Sequence, residues 1–123
     1  MYMTLLKIKG EFTICKLHDI SQVNFSREFV FLSKTDDEIS LVCESDYIPA
    51  NVIASEAGWK ALKISGILDF GLIGVIAKIA SILAEVSVSV FVVSTYNTDY
   101  ILIKSEKYSI GIQALTNNGY VVA

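Results

Sequence analysis

The sequence predicts an α+β fold built from two small modules in one chain. Residues 59–104 read in order as a strand, a glycine-punctuated loop, an apolar helix and a hairpin with a polar turn. Part of this pattern has a weaker counterpart earlier in the chain. A length of 123 residues suits one ordinary domain or two very small ones.

The second module begins with a predicted strand at residues 59–64, which Gly66 ends. A helix is predicted to start near Gly71, with Asp69 as its N-cap, because an Asp carboxylate can accept the unpaired N–H groups of a helix start. The predicted core face of this helix has helical spacing and comprises Ile76, Ile79, Ala80 and Leu83, widened by Leu72, Val75, Ile82 and Val86.

The remaining elements complete a β-α-β-β-α-β order. Residues 88–93 are a nearly continuous β-branched run, which predicts a strand buried on both faces. Residues 96–99 carry turn chemistry, and residues 100–104 are the returning strand. Ser105 is predicted to cap a second helix that ends at Asn117-Asn118-Gly119, before a last strand at residues 120–122. This order is the ferredoxin-like arrangement.

The chain also repeats itself. Residues 6–10 match residues 62–66, and residues 29–47 match residues 90–108, which sets Ser33 against Ser94, Glu38 against Asp99 and Tyr47 against Tyr108. Where the second copy has its helix, the first has the β-branched run F-T-I-C-K-L, which predicts an extra strand. We predict modules at 1–56 and 57–123, the first degenerate and lacking a normal first helix. Chance similarity between strand patterns is the alternative.

Composition limits the classes of function. Apolar residues make up 53% of the chain, and the mean hydropathy is +0.53, so we expect some apolar surface to meet a partner subunit or a second domain. The net charge is −3, and the basic residues form no cluster, which argues against nucleic-acid binding.

Cysteines and hydrophobic runs indicate the compartment. Cys15 and Cys43 lie in apolar runs without metal-motif spacing, so we expect reduced structural thiols. Lysines interrupt the apolar N-terminus, which therefore does not read as a signal peptide. Lys78 and Glu85 interrupt the longest hydrophobic segment, so no membrane span is predicted. We expect a cytoplasmic protein.

Residues 62–74, L-K-I-S-G-I-L-D-F-G-L-I-G, followed by residues 90–104, V-F-V-V-S-T-Y-N-T-D-Y-I-L-I-K, resemble the ACT domain. The closer resemblance is to the ACT modules of CASTOR-type arginine sensors and of the regulatory end of aspartokinases. It is strong over residues 56–119 and weaker over residues 1–50. The resemblance implies two ACT modules that bind a small effector, usually an amino acid, at the junction of paired modules.

The resemblance also implies which residues contact the ligand. The first segment is the loop before the first helix, comprising Asp69, Phe70, Gly71, Leu72, Ile73 and Gly74. The second faces the loop of a neighbouring module and comprises Ser94, Thr95, Asn97, Thr98 and Asp99. A helix N-terminus suits a ligand carboxylate, and an Asp carboxylate suits an ammonium or guanidinium group.

Structural roles are the alternatives for the same residues. Asp69 could serve only as a helix cap, and Asp99 could be a solvated turn residue. Gly71 and Gly74 could serve helix packing, and Thr95 and Thr98 could be ordinary hairpin residues.

The sequence lacks the residue motifs of common catalytic sites. His18 is the single histidine, and there is neither a G-x-S-x-G motif nor a phosphate-binding glycine loop. Arg27 has no glycine-rich loop beside it, as acylphosphatase-like chemistry would require. The sequence therefore predicts no enzyme, no cofactor and no metal site. We expect a homodimeric regulatory protein that binds a small molecule; the alternative is a ligand-free dimerisation or docking module that regulates a partner enzyme.

Overall fold

The computed structural model describes residues 3–65 and 74–123. These residues form an α+β fold with eight strands, two α-helices and two short 3-10 turns. The strands are β1 (Thr4–Lys7), β2 (Phe12–Leu17), β3 (Val30–Lys34), β4 (Ile39–Glu44), β5 (Val52–Ile64), β6 (Val90–Ser94), β7 (Asp99–Lys104) and β8 (Val121–Val122). The helices are α1 (Val75–Glu85) and α2 (Tyr108–Asn117), and the 3-10 turns are Ser45–Tyr47 and Ser105–Lys107.

The chain packs as two compact units, one of which is discontinuous in sequence. Residues 1–9 and 60–123 form the first unit, and residues 10–59 form the second. Module bounds at 1–56 and 57–123 stay a prediction about domains. Residues 1–9, however, pack with the C-terminal part of the chain, although the sequence repeat assigns them to the first module.

The first unit has the predicted β-α-β-β-α-β order with one added strand. β7 pairs with β6 and with β5, and β1 lies between β5 and β8, antiparallel to β5 and parallel to β8. The core joins residues of both helices to residues of these strands, including Leu62, Ile103, Leu83 and Leu115, each fully buried. The ferredoxin-like fold class is confirmed.

Helix α1 buries the predicted face over most of its length. Ile79, Ile82 and Leu83 are buried, whereas Val86 is 38% exposed. The prediction of a core role for Val86 is wrong because the helix has already ended. Ser87 adopts a left-handed φ of 61°, and the N–H of Val88 donates to the carbonyl of Leu83, which closes the helix C-terminus.

Strand β6 differs from the sequence prediction in its burial. Residues 88–93 were expected to be buried on both faces, but the first four residues of β6 are only half-buried and Ser94 is exposed. Within the described residues, β6 pairs with β7 alone. An edge strand keeps one side open, so its β-branched residues are shielded less than those of a central strand.

The second unit is a sheet without α-helices. All of residues 10–59 are described, and they form strands in the order β3-β4-β2-β5. The predicted strand F-T-I-C-K-L is β2, and it pairs with β4 and with β5. In chain order, the loop 18–29 stands where the first unit has α1, and the short connection from the 3-10 turn Ser45–Tyr47 to β5 stands where it has α2. The first module therefore lacks both helices, although the sequence predicted the loss of only the first.

One core cluster of the second unit comprises Cys15, Leu17, Leu41 and Cys43, with five partly buried aliphatic residues around it. Both cysteines are buried and free. Burial raises the pKa of the Cys43 thiol to about 12 and raises that of Cys15.

The two hairpins of the chain correspond residue by residue, but not in the register that the sequence suggested. The β3–β4 hairpin closes with Lys34 opposite Ile39, and the β6–β7 hairpin closes with Ser94 opposite Asp99. The structural offset is therefore 60 residues, and the 3-10 turns Ser45–Tyr47 and Ser105–Lys107 follow at the same offset. The sequence alignment of Ser33 with Ser94 is wrong by one residue. Such a slip would turn every strand side chain to the opposite face.

Candidate functional site

The turn between β6 and β7 is held by its two threonines. The N–H and the hydroxyl of Thr95 both donate to the carbonyl oxygen of Thr98, at 2.8 and 2.9 Å. Side-chain hydrogen bonds of this kind hold a turn in one conformation. Thr95 therefore has a structural role in the turn.

Thr98 connects the turn to the end of β5. Its side chain is buried, at 5% exposure, and its hydroxyl donates to the carbonyl oxygen of Ile64 at 2.8 Å. Ile64 is the last residue of β5, and the segment that leads to α1 begins directly after Ser65. The structure therefore holds the turn of the second predicted contact segment against the end of β5.

The first predicted contact segment is described at one residue only. Asp69, Phe70, Gly71, Leu72 and Ile73 lie outside the described residues. Helix α1 begins at Val75, so the prediction of a helix start near Gly71 with Asp69 as its N-cap is wrong. Gly74 is described; it is exposed and occupies the N-cap position of α1 with a left-handed φ of 81°.

The N-terminus of α1 carries the partial positive charge of a helix start. Gly74 provides no side-chain cap, and the first turn of the helix contains no acidic residue. The first N–H groups of a helix lack partners within the helix. This arrangement can accept a carboxylate or another small anion.

The second predicted contact segment divides into structural and accessible residues. Thr95 and Thr98 use their hydroxyl donors within the fold. Ser94 and Asn97 are exposed, and Asp99 is half-buried opposite Ser94. A carboxylate at Asp99 and an amide at Asn97 are suitable partners for a ligand ammonium group.

Sequence reasoning did not find the role of Thr98 as an anchor. The sequence predicted Thr98 as a ligand contact or a hairpin residue and not as an anchor, because its partner Ile64 lies 34 positions away. In the other hairpin the equivalent residue is the exposed Glu38. The sequence contains one sign of the buried role of Thr98, namely an uncharged residue where the other hairpin has the charged Glu38.

The described parts of the chain provide neither a cluster of metal ligands nor a helix that could span a membrane. Residues 3–65 and 74–123 contain no group of three His, Cys, Asp or Glu side chains placed to hold a metal ion. Over the same residues, neither α-helix is long and apolar enough to cross a membrane.

Comparison with known proteins identifies the family. The family model of the ACT domain matches residues 54–117, which is more than half of the chain. The chain belongs to the ACT domain family. A second family model, described as an N-terminal domain, matches residues 10–51 of this ACT protein. None of the curated proteins matches the chain.

Solved structures share the fold of this ACT protein. A protein from Agobacterium tumefaciens is 29% identical, with a TM-score of 0.85 over 100% of this chain and 93% of that chain. A Vibrio cholerae protein of unknown function, described as a possible transport protein, is 22% identical, with a TM-score of 0.74 over 94% and 88%. The ligand-free regulatory subunit of aspartate kinase from Thermus thermophilus is 9% identical, with a TM-score of 0.65 over 95% and 98%.

Proposed function

We propose that this ACT-domain protein is a regulatory protein that binds a small amino acid at an interface between ACT modules. The hydrogen bond from Thr98 to Ile64 carries the proposal. It holds the turn beside the start of the segment that leads to the N-terminus of α1. Two segments that are far apart in sequence are therefore available to one ligand.

The two ends of an amino acid match the chemistry of these segments. The ligand carboxylate would accept hydrogen bonds from the first N–H groups of α1, because Gly74 at the N-cap position has no side chain that could accept them. The ligand ammonium group would lie near Asp99, with Ser94 and Asn97 as polar neighbours. Asp69, Phe70, Gly71, Leu72 and Ile73 complete the proposed loop. Thr95 and Thr98 contribute by holding the turn.

The comparisons support a regulatory role rather than a catalytic one. Aspartate kinase regulatory subunits and domains are among the solved structures with this fold. We propose that the protein is not an enzyme, that it acts in the cytoplasm without nucleic acid or membrane, and that it self-associates as a dimer. Ligand that binds the assembled form more tightly than the separate chains would stabilise it by mass action.

A thermal-shift screen against the twenty amino acids tests the proposal. We expect one or two of them to raise Tm in a dose-dependent way at millimolar concentration, since a ligand stabilises by RT ln(1 + [L]/Kd). The Asp99→Asn variant should lose the shift. The matched control is Asp37→Asn, which changes an exposed carboxylate in the other hairpin turn and should keep the shift.

A flat screen on well-folded protein would contradict amino-acid binding. It would favour the alternative, a ligand-free dimerisation or docking module that regulates a partner enzyme. If the screen gives a shift, Asp99→Ala and Gly71→Val distinguish the two functions. In the sensor they remove the ligand response without unfolding the protein, and in the docking module they change no small-molecule response.

A further inference from the structure

The loop 18–29 of the second unit, which stands where the first unit has α1, contains the same type of turn twice. The carboxylate Oδ1 of Asp19 accepts hydrogen bonds from the N–H and the hydroxyl of Ser21, at 2.9 and 2.6 Å. The amide Oδ1 of Asn24 accepts the corresponding bonds from Ser26, at 3.0 and 2.6 Å. Each is an Asx turn, in which a short polar side chain fixes the backbone two residues ahead.

Each of these turns holds a large apolar residue in solvent. Ile20 stands between Asp19 and Ser21 and is 46% exposed; Phe25 stands between Asn24 and Ser26 and is 57% exposed. We call Ile20 and Phe25, with the two turns that hold them, the Asx-turn surface. One exposed apolar residue is normal on a protein surface, but two in the same motif within one loop suggest an interaction site.

A further hydrogen bond, from outside the loop, also stabilises the first Asx turn. The side-chain amide of Asn51 donates to Oδ1 of Asp19 at 3.0 Å. The hydrogen bonds from Ser21 lower the pKa of Asp19, so this turn stays negatively charged. A surface held in this way loses little conformational entropy when it binds a partner.

The charges of the two units indicate the partner. Residues 10–59 carry nine acidic and three basic side chains, a net charge of −6, and residues 1–9 and 60–123 carry seven basic and four acidic side chains, a net charge of +3. Two copies of this acidic unit would therefore repel each other. The residues of the basic unit in a second copy provide the opposite charge.

The basic unit also has an apolar groove. A groove of about 340 Å³ lies along α2 and the end of α1, lined by Val86, Ser109, Ile110, Gln113, Ala114 and Asn117. None of these residues is charged, and α2 itself contains no charged residue. Val86 and Ile110 are 38% and 48% exposed. An exposed apolar side chain can enter such a groove without burying an unpaired charge.

We propose that the Asx-turn surface of one copy docks on the α1–α2 groove of a second copy. Two such contacts related by a two-fold axis would close a dimer. Apolar contact of Ile20 and Phe25 with the groove would provide most of the affinity, and the opposite net charges would favour encounter and orientation. The proposal rests on the self-association included in the proposed function and names the surfaces that make it.

Sedimentation velocity of the full chain over a range of concentrations tests the proposal. We expect a dimer whose Kd rises with added NaCl, because salt screens the attraction between the two units. Two changes should each raise Kd at least about tenfold: the double variant Ile20→Ser/Phe25→Ser on the turns, and Ile110→Asp in the groove. The matched control is Val121→Ser, whose side chain is as exposed as Phe25, at 57%, and which should leave Kd unchanged.

Mixing the two variants distinguishes docking from general damage. The turn variant keeps an intact groove, and the groove variant keeps intact turns, so a mixed dimer retains one complete contact. We expect the mixture to associate more tightly than either variant alone. A dimer that neither variant weakens would overturn the proposed surfaces while leaving self-association in place. A monomer at every concentration would overturn the proposal and assign the Asx-turn surface to a different protein, and the amino-acid screen would still test ligand binding.

Discussion

The two hairpins of this ACT protein have the same backbone and different surroundings. In each, a threonine N–H donates to the carbonyl three residues ahead, from Thr35 to Glu38 and from Thr95 to Thr98. Glu38 is exposed, whereas Thr98 is buried and bonded to Ile64. The comparison teaches that turn chemistry sets the hairpin, while contact with another strand decides what the turn does.

The same contrast extends to the layer that covers each sheet. In the first unit, α1 and α2 join the strands in one core cluster that includes twelve buried residues. The second unit, residues 10–59, has no α-helix; Cys15, Leu17, Leu41 and Cys43 form one of its buried clusters, and the loop 18–29 carries the two Asx turns. The hairpin is therefore kept without either helix, and apolar side chains such as Phe25 are exposed.

The largest expected difference between the hairpins is in how much the last turn residue contributes to the free energy of unfolding. Thr98→Val keeps the shape of the side chain but leaves the buried Ile64 carbonyl without its donor, so we expect a loss of about 1–3 kcal/mol in the free energy of unfolding. Glu38→Ala at the equivalent exposed position should change it by less than about 0.5 kcal/mol. Urea unfolding of both variants measures the difference. Equal effects would show that the Thr98 anchor contributes nothing to stability.

A second difference lies in the strands that follow the turns. Cys43 occupies the position that Ile103 occupies in the other hairpin, at the offset of 60 residues. Burial raises the pKa of Cys43 from 9.0 to about 12, so above pH 9 the unfolded thiol loses its proton while the folded thiol retains it. Stability should then fall with rising pH, by at most about 1.4 kcal/mol per pH unit.

Comparison of wild type with Cys43→Ala tests this pH effect; Cys15, whose thiol is hydrogen-bonded to Cys43, also changes its titration, so Cys15→Ala serves as the second comparison. Urea unfolding at neutral pH and at an alkaline pH between the two pKa values measures it. The Cys43→Ala variant should be less stable at neutral pH and should lose less stability on alkalinisation. If wild type and Cys43→Ala lose the same amount of stability at alkaline pH, the pH effect does not come from Cys43.

The smallest expected difference involves the serine that opens each 3-10 turn. The hydroxyls of Ser45 and Thr13 are hydrogen-bonded at 2.8 Å, and Thr13 is fully buried. The hydroxyl of Ser105, the equivalent serine, is buried with no hydrogen-bond partner among the described residues. Ser45→Ala should cost about 1 kcal/mol, and Ser105→Ala should be neutral or slightly stabilising.

Thermal unfolding of the two serine variants provides the measurement. The double variant Thr13→Val/Ser45→Ala should cost no more than the more damaging single change, because both partners are then removed together. A large loss of stability in Ser105→Ala would contradict the comparison.

Elements with strong local patterns were predictable from sequence. The apolar spacing of Ile79 and Leu83 and the glycine stop after α2 predicted the two helices, and β-branched runs predicted most strands. The register of the repeat was not predictable, because matching Ser33 with Ser94 followed residue identity rather than hydrogen bonding. The position of β1 was missed for a similar reason, since its partner β8 lies at the other end of the chain.

The candidate site was predicted less completely than the fold. The resemblance identified two contact segments, and the structure describes Gly74 together with the turn at residues 94–99. It could not separate Thr98 from its neighbours, because burial and the bond to Ile64 depend on packing between distant parts of the chain. The Asx turns at Asp19 and Asn24 were visible as polar residues, but the exposure of Ile20 and Phe25 was not.

The position of residues 10–59 between β1 and the C-terminal end of β5 affects the order in which the chain can fold during synthesis. The second unit is one continuous segment, so it is complete early, while the ribosome is still making the rest. Strand β1 emerges before it but pairs with the end of β5 and with β8. Its backbone N–H and C=O groups can therefore form their strand hydrogen bonds only after nearly the whole chain has been made. Folding of the first unit thus depends on contacts between residues far apart in sequence, which is associated with slow folding.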